Sequence, residues 1–329
     1  MVTRASDGAA VGAECLERRA DARVIRVHGD LTLSSAPALC GAVSDAVGDA
    51  PATVTVDLRG AKAADVVGLA ALFQCGAVVE RAGAAFAVVA EEPLRSAVLA
   101  ARLFDEIPFV TGVEETTVLD TIDVLPSRNE APLLAHTARI GLRRPTWDEL
   151  ALFGRWAEDR CLEEMVGSEL LYRCRHLGPY HPDFVDEVLA SPRSLTLFVE
   201  PLAMPGHPVG FVRLYDIHLA AGIAFLETVV TTGESLRKGW GVEASRLLLA
   251  YGMDALGLQR VEAKAYSYNV LSANALRRNG FRQEGVLRSA HRYQGQRWDI
   301  LVFSILAEEM RAQRKRECYP YLGFWSAAE

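Results

Sequence analysis

After a polar, Ala-rich beginning, the chain alternates between short apolar runs and longer amphipathic stretches. The apolar runs predict strands at residues 24–27, 54–58 and 85–89, and Gly29-Asp30 and Gly60 end the first two. The longer stretches predict helices at residues 36–47, 69–81 and 94–103. Ser35 is a candidate cap for the first helix, and Pro37 suits its first turn. This alternation predicts an open α/β sheet with helices packed on it.

From residue 139 the hydrophobic pattern contains more strands. Helices are expected at 146–161, within 162–190, at 244–255 and at 273–278. Strands are expected at 139–143, 195–199, 209–212, 223–230, 261–265, 285–293 and 299–306. The second half is therefore expected to be an α/β layered fold with a mixed, mainly antiparallel sheet.

These two patterns divide the chain into five predicted segments. They are a disordered N-terminus at 1–13, a first domain at 14–112, a linker at 113–136, a second domain at 137–308 and a C-terminal tail at 309–329. The linker contains acidic residues, Pro126 and Pro132, with a short ordered piece expected near 118–125.

Composition narrows the classes of function. The chain has 329 residues, 50% of them apolar, and a net charge of -7, which argues against a broad nucleic-acid surface. No apolar run reaches the length of a membrane span, and residues 1–25 do not resemble a signal peptide. The six cysteines are scattered, so a cytoplasmic protein with reduced thiols is expected. His176 and His181 have no third ligand at a useful spacing, and no metal site is predicted.

The most informative stretch is Gly239-Trp240-Gly241, which directly precedes a helical pattern. Glycine lacks a Cβ, so the backbone there can turn tightly and approach a ligand closely. The first turn of a helix offers unpaired N–H groups and the positive end of the helix dipole. Together these features predict a phosphate or pyrophosphate site, although an ordinary loop into a core helix is the alternative reading.

Four segments of the first half are distinctive: Gly29-Asp30-Leu31-Thr32-Leu33, Ala36-Pro37-Ala38-Leu39, Asp57-Leu58-Arg59-Gly60 and Ala64-Asp65-Val66-Val67-Gly68-Leu69. In this order they resemble the STAS domain, named for sulfate transporters and anti-sigma factor antagonists. Bacterial antagonists are phosphorylated on a Ser or Thr in the loop that here carries Val66 and Val67. Valine has no hydroxyl, so the resemblance implies a STAS-like module that has lost this switch. Docking, dimerisation or a structural role is expected, and partner or ligand sensing is the alternative.

The second half carries a different set of motifs. They are Leu142-Arg143-Arg144-Pro145, Arg237-Lys238-Gly239-Trp240-Gly241, Asn269-Val270-Leu271-Ser272-Ala273-Asn274, Asn279-Gly280-Phe281 and Glu284-Gly285-Val286-Leu287-Arg288, followed by Gly295 and Asp299. This set resembles the GCN5-related N-acetyltransferases, the GNAT superfamily, and especially the bacterial enzymes that acetylate N-termini of ribosomal proteins. The resemblance implies a GNAT fold and acyl transfer from acetyl-CoA, another acyl-CoA or a phosphopantetheinyl carrier protein, without a metal.

The resemblance also implies site residues. The pyrophosphate is expected at Arg237, Lys238, Gly239, Trp240, Gly241 and Val242, and a backbone N–H near Val229 or Val230 is expected to polarise the thioester carbonyl. The family loop begins with Gln or Arg, and here that position is Leu236. Backbone N–H groups do most of the phosphate binding in such loops, so CoA binding is still expected.

Three polar side chains are the remaining candidates. Glu227, in an apolar strand, is expected to act as general base or to position a water, or else to face solvent or pair with an arginine. Ser272 is expected to protonate the leaving thiolate, or to cap a helix. Asn269 is expected either to bond the pantetheine amide or to cap the same helix.

The sequence therefore predicts an N-acyltransferase that acts on a primary amine of a peptide, a protein N-terminus or a biosynthetic small molecule. The acceptor is expected between residues 162–190 and the last hairpin. The alternative is a non-catalytic regulatory protein that senses acyl-CoA and acts through its STAS-like domain. A protein partner or dimerisation through that domain is expected in either case, with no nucleic acid and no membrane as partner.

Overall fold

The computed structural model describes residues 22–33, 35–92, 94–100, 109, 118–124, 133–219, 221–231 and 238–317. These residues form two compact units, divided after residue 130. The predicted disordered N-terminus and much of the predicted linker and tail lie outside the described residues. No helix in these ranges is both long enough and apolar enough to cross a membrane.

The first unit is a four-stranded, fully parallel sheet with strand order β3-β2-β1-β4. Its strands are β1 (Ala22–Val27), β2 (Thr53–Asp57), β3 (Ala85–Val89) and β4 (Val118–Val124). Its helices are α1 (Ala36–Gly48), α2 (Val66–Arg81) and α3 (Leu94–Ala100). All five residues of β2 are buried, as expected for a central strand of a parallel sheet. The predicted α/β alternation of this half is confirmed.

The second unit is built on an eight-stranded sheet with strand order β11-β12-β10-β9-β8-β7-β6-β5. Its strands are β5 (Leu133–His136), β6 (Ile140–Arg143), β7 (Leu195–Pro201), β8 (Gly210–His218), β9 (Ile223–Val230), β10 (Arg260–Tyr266), β11 (Arg282–Tyr293) and β12 (Gln296–Leu306). Only β9 and β10 are parallel neighbours; the other pairs are antiparallel. The predicted mixed, mainly antiparallel sheet is confirmed.

Seven helices are described in this unit. They are α4 (Ala151–Ala157), α5 (Arg160–Val166), α6 (Glu169–Leu177), α7 (Pro182–Leu189), α8 (Trp240–Asp254), α9 (Val270–Arg278) and α10 (Ala307–Glu317). Strand β5 lies within the stretch expected to be linker, and α10 extends into the expected tail. Arg311 and Arg314 of α10 both pair with Asp254 of α8, so ion pairs join these two helices.

Two layers of helices cover opposite faces of the sheet at β9. Val229 is fully buried in a cluster with Phe153 and Phe184, which belong to α4 and α7. The next residue back, Thr228, instead places its hydroxyl 2.8 Å from that of Ser245 on α8. Successive side chains of a strand point to opposite faces, so α8 and the α4–α7 layer lie on different sides of β9.

Candidate functional site

Within the described part of the chain, the N-terminus of α8 has no side-chain cap. Its cap residue, Gly239, has φ 81° and ψ 3°, and no side chain among the described residues caps the helix there. A Cβ built on Gly239 would meet nothing within 4 Å. The first-turn N–H groups and the helix dipole therefore face a space that can accept an anion.

Gly241 has a different role from Gly239. A Cβ at Gly241 would lie 3.1 Å from Cγ2 of Val230 and 3.5 Å from Cγ2 of Thr228. The absence of a side chain thus lets the first turn of α8 approach the end of β9 closely. The Ser245 hydroxyl, 2.8 Å from the Gly241 carbonyl, adds a polar link within the same turn.

The rest of the glycine loop carries positive charge. The ammonium of Lys238 lies 4.6 Å from the centre of the Trp240 ring, within the range of a cation–π contact. Val242 completes the first turn and is half-buried. Arg237, which was also expected to bind pyrophosphate, lies outside the described residues, as does Leu236.

Strands β9 and β10 separate next to this helix terminus. Among the described residues their pairing is confined to 223–225 of β9 and 260–262 of β10. The strands nevertheless extend to Val230 and Tyr266. Backbone groups near the end of β9 therefore face an opening rather than a neighbouring strand.

The hydrogen-bond register distinguishes Val229 from Val230. Thr231 donates its N–H to the carbonyl of Val209 at 2.9 Å, which continues the antiparallel ladder with β8. Because N–H groups alternate in direction along such a ladder, the N–H of Val229 also faces β8. The N–H of Val230 points the other way, into the opening, so the geometry favours Val230 as the donor to a carbonyl.

Glu227 lies on the same strand and pairs with an arginine. Its Oε2 accepts a hydrogen bond from Nε of Arg213 at 2.5 Å, and the Arg213 side chain is only 4% exposed. This is one of the alternatives that the sequence left open. The other oxygen, Oε1, is buried and has no hydrogen-bond partner among the described residues. Glu227 thus retains one acceptor for an N–H group.

Two tyrosines lie close enough to Glu227 to be influenced by its charge. Burial, together with the negative charge of Glu227, raises the pKa of Tyr215 to about 12. The same two causes raise the pKa of Tyr266. Both phenols are therefore neutral at neutral pH, and the surroundings of Glu227 are aromatic on β8 and β10.

Asn269 caps α9, as one reading of the sequence predicted. Its Oδ1 accepts the N–H of Ser272 at 3.0 Å, and its Nδ2 donates to the carbonyl of Met165 at 2.6 Å. The same Nδ2 lies 2.8 Å from the hydroxyl of Ser272. Ser272 is therefore not the cap: its hydroxyl oxygen accepts from Asn269, which leaves its O–H proton available to donate elsewhere.

An aromatic cluster next to this region was not expected from the sequence. It combines Tyr266 and Tyr268 from β10 and its following turn with His291, Tyr293 and Trp298 from the β11–β12 hairpin. The ring of His291 stacks on Tyr266 at 3.8 Å, and Tyr293 stacks on Tyr268 at 4.4 Å. Alternate aromatic positions, 266 with 268 and 291 with 293, are the signal that could have indicated it.

A β-bulge places the hairpin rings. The β11–β12 register shifts between Leu287 and His291, and Ser289 has φ 52°. Asp299 accepts the N–H of Ser289 at 2.8 Å, which fixes this conformation. Bulges bend a strand and redirect its side chains, and here the bulge lies two residues before His291.

The two histidines considered as metal ligands serve local structure instead. Nδ1 of His176 lies 2.8 Å from the carbonyl of Tyr172, one turn earlier on α6. His181 caps α7 by accepting the N–H of Asp183. No group of His, Cys, Asp or Glu within the described ranges is arranged to hold a metal ion.

Comparison with known families decides what these two units are. Residues 15–110 match the family model described as Mlab, STAS domain. Residues 139–282 match the model of the acetyltransferase (GNAT) domain. The chain carries a STAS domain followed by a GNAT acetyltransferase domain. The GNAT match includes the glycine loop, Glu227, Asn269 and Ser272, whereas the hairpin rings of the aromatic cluster come after it.

Curated proteins with a similar sequence are also N-acetyltransferases by name. Over 72 residues the chain is 38% identical to the uncharacterized N-acetyltransferase p20 of Bacillus licheniformis, which is 22% of this chain and 40% of that protein. Over 98 residues it is 35% identical to the uncharacterized N-acetyltransferase YoaA of Bacillus subtilis, which is 30% of this chain and 53% of that protein. The chain thus spans about half or less of the length of these relatives.

Solved acetyltransferase structures resemble somewhat more than half of this chain at low sequence identity. The spermidine N-acetyltransferase of Vibrio cholerae, in complex with CoA and spermine, has a TM-score of 0.45 and 18% identity, covering 53% of this chain and 99% of that one. A GCN5-related N-acetyltransferase from Brucella melitensis has a TM-score of 0.46 and 22% identity, covering 57% and 85%.

Proposed function

We propose that the protein is an N-acyltransferase that moves an acetyl or longer acyl group from CoA to a primary amine. The observation that carries the proposal is the open N-terminus of α8 beside the separation of β9 and β10. Among the described residues, no side chain caps Gly239, and the N–H of Val230 faces the opening. An anion-binding terminus and a backbone donor next to it suit the pyrophosphate and the thioester of one extended ligand.

Each of the described site residues is assigned one part of the reaction. Lys238, Gly239, Trp240, Gly241 and Val242 hold the pyrophosphate, together with Arg237 by sequence. The Val230 N–H stabilises the negative charge that develops on the thioester oxygen as the amine nitrogen attacks the carbonyl carbon. The carbon–sulfur bond then breaks, the nitrogen releases its second proton as the amide forms, and the thiolate takes one proton, so that one proton is released overall.

Glu227 and Ser272 are assigned the two proton transfers. The free Oε1 of Glu227 accepts a proton from the acceptor ammonium, directly or through a water, while Arg213 holds Oε2. The Ser272 hydroxyl, oriented by Asn269, donates a proton to the thiolate. In this account Asn269 acts by capping α9 and by positioning Ser272.

The acceptor is proposed to lie between the α5–α7 region and the β11–β12 hairpin, where the aromatic cluster is found. Primary amines of peptides, protein N-termini and biosynthetic small molecules all suit such a site, and a phosphopantetheinyl carrier protein is a further possible donor. The STAS domain is proposed to dock a protein partner or to dimerise the enzyme in the cytoplasm. The division into a STAS-like domain at 14–112, a connection at 113–136 that contributes β4 and β5 to the two sheets, and an acyltransferase domain at 137–308 is part of this proposal.

Turnover tests the proposal directly. The protein is incubated with acetyl-CoA and a panel of primary amines, and the released thiol is measured. Glu227→Gln is expected to lower kcat by about 100-fold, a typical loss for a general base. Glu262→Gln is the matched control, because Glu262 is a partly buried carboxylate on β10 that pairs with Arg260. Absence of turnover with every acyl donor would reject the proposal.

The ion pair between Arg213 and Glu227 favours a second candidate, a regulatory protein that binds acyl-CoA without turnover. In that case Glu227 is structural. It predicts CoA binding by calorimetry together with no effect of Glu227→Gln on any acyl transfer. A large fall in turnover for the same variant would exclude it.

A further inference from the structure

A polar network from outside the glycine loop holds the N-terminus of α8. Nη2 of Arg139, in the turn between β5 and β6, donates to the backbone carbonyl of Lys238 at 2.5 Å. Nε of Arg139 lies 3.6 Å from Oε2 of Glu243, in the first turn of α8. The hydroxyl of Thr137 donates to the other oxygen of Glu243. The network thus joins the turn after β5 to the loop and to the helix.

The bond to Lys238 fixes the direction of a loop N–H group. The carbonyl of Lys238 and the N–H of Gly239 belong to one planar trans peptide and point in opposite directions. Arg139 holds that carbonyl, so the Gly239 N–H is directed away from Arg139. Gly239 needs this constraint, because a glycine at positive φ has no side chain to restrict its neighbouring peptides.

The network also controls charge at this terminus. Glu243 is only 8% exposed, and its carboxylate lies where an incoming phosphate would be repelled. Arg139 and Thr137 engage both carboxylate oxygens and offset that repulsion. The Arg139 side chain is 54% exposed. The loop itself carries Leu236 where similar loops carry Gln or Arg.

We propose that Arg139 is a positioning residue for the phosphates of the acyl donor. It orients the Gly239 N–H and supplies a positive charge from outside the loop, at a site whose own first position is Leu236. The inference rests on the proposed acyl-CoA site. According to this inference, the turn between β5 and β6 takes part in recognition of the acyl donor.

Donors of two lengths test this role. Acetyl-CoA carries the pyrophosphate, and acetyl-pantetheine lacks it but retains the thioester. Arg139→Met, which keeps much of the side-chain stem, is expected to raise KM for acetyl-CoA about tenfold with kcat within about twofold. With acetyl-pantetheine the variant is expected to match the wild type. Arg139→Lys keeps the positive charge but places all its N–H donors on a single nitrogen. It is expected to recover part of the loss.

Arg193→Met is the control, because Arg193 is 56% exposed and, among the described residues, its side chain also pairs with a carboxylate, Asp216, and contacts His218. It is expected to change neither KM nor kcat. An equal loss with both donors for Arg139→Met would show a merely structural role and overturn the inference. An unchanged KM for acetyl-CoA would overturn it as well.

Calorimetry with CoA separates this inference from the proposed function. If the wild type binds CoA but shows no turnover, the acyltransferase proposal fails, and the Arg139 inference still predicts about tenfold weaker CoA binding by Arg139→Met. Equal CoA affinity in the two proteins, with equal melting temperatures, would overturn the inference. Pantetheine, titrated in parallel, is expected not to distinguish them.

Discussion

Two helices of this protein begin in opposite ways, α2 in the STAS domain and α8 in the GNAT domain. At α2 the cap residue Asp65 fills the terminus with its own carboxylate. Its Oδ1 accepts the N–H groups of Val67 and Gly68, both at 2.8 Å, and Oδ2 accepts the N–H of Leu33 at 3.1 Å. The positive end of this helix therefore already has its anion.

At α8 the corresponding groups have no such side-chain acceptor among the described residues. Gly239 provides no side-chain cap, and nothing lies within 4 Å of the place where its Cβ would be. At α2, by contrast, a Cβ on Gly68 would lie 2.0 Å from the carbonyl oxygen of Leu31. A glycine at a helix terminus thus has two different effects. At α2, Gly68 allows tight packing against Leu31, whereas at α8, Gly239 allows a backbone conformation with positive φ. A glycine near a helix start indicates a ligand site only when the first turn is uncapped.

The largest effect is expected from Gly68→Ala. The new Cβ would collide with the backbone of Leu31, which cannot move aside cheaply, so the STAS domain should lose about 3 kcal/mol of stability. Hydrogen exchange at the amides of β1 and β2 measures the loss, and CoA affinity should be unchanged. If the exchange rates equalled those of the wild type, the tight packing at the start of α2 would not distinguish it from the start of α8.

A smaller loss is expected from Asp65→Ala. The variant leaves three buried N–H groups without their acceptor, so about 2 kcal/mol of stability should be lost, again measured by hydrogen exchange. Asp65→Asn keeps an acceptor oxygen and should lose less. If the two substitutions were equally mild, the Asp65 carboxylate would not be what closes this terminus.

At the open terminus, Gly239→Ala should cost about 1 kcal/mol, because alanine is strained at positive φ but meets no neighbour. CoA affinity should fall about tenfold as the loop relaxes away from this conformation. Gly257→Ala is the matched control: Gly257 has φ 72°, also has nothing within 4 Å, and follows the C-terminal end of α8. An equal fall in affinity for both variants would show that strain alone is responsible.

The smallest expected effect is the influence of the Glu227 carboxylate on the pKa of Tyr215. Unlike Asp65, Glu227 has an oxygen without a hydrogen-bond partner in the described part of the chain. Burial, together with the negative charge of Glu227, raises the pKa of Tyr215 to about 12. Because an unfolded tyrosine ionises near pH 10, this contribution to stability is present below pH 10 and is lost as the pH rises towards 12. In Glu227→Gln the pKa of Tyr215 should fall by a fraction of a unit, measured by absorbance at high pH. A rise in the pKa of Tyr215 in this variant would contradict the position of the Glu227 carboxylate near the Tyr215 hydroxyl.

The periodic elements of the chain were predictable because their causes are local. Hydrophobic spacing predicted α1, α2 and the strands between them. Strand β5 was missed because it is only four residues long and borders a Pro-rich stretch. Its existence depends on pairing with β6.

The candidate site was predictable only in part. The glycine loop has a local signature, but the bond from Arg139 to Lys238 spans 99 positions and has none. The same holds for Arg213 and Glu227, which meet because β8 and β9 are paired in a particular register. The choice of Val230 over Val229 also needed that register, since both residues look alike in the sequence.

The most direct measurement is a titration of the amide-labelled protein with CoA, followed by NMR. We expect the amide signals of Gly239, Trp240, Gly241 and Val242 to shift with one common affinity, equal to that found by calorimetry. The amides of Val67 and Gly68, which are already bonded to Asp65, should not move. CoA binding without any shift at residues 239–242 would contradict the claim that the open terminus of α8 holds the donor.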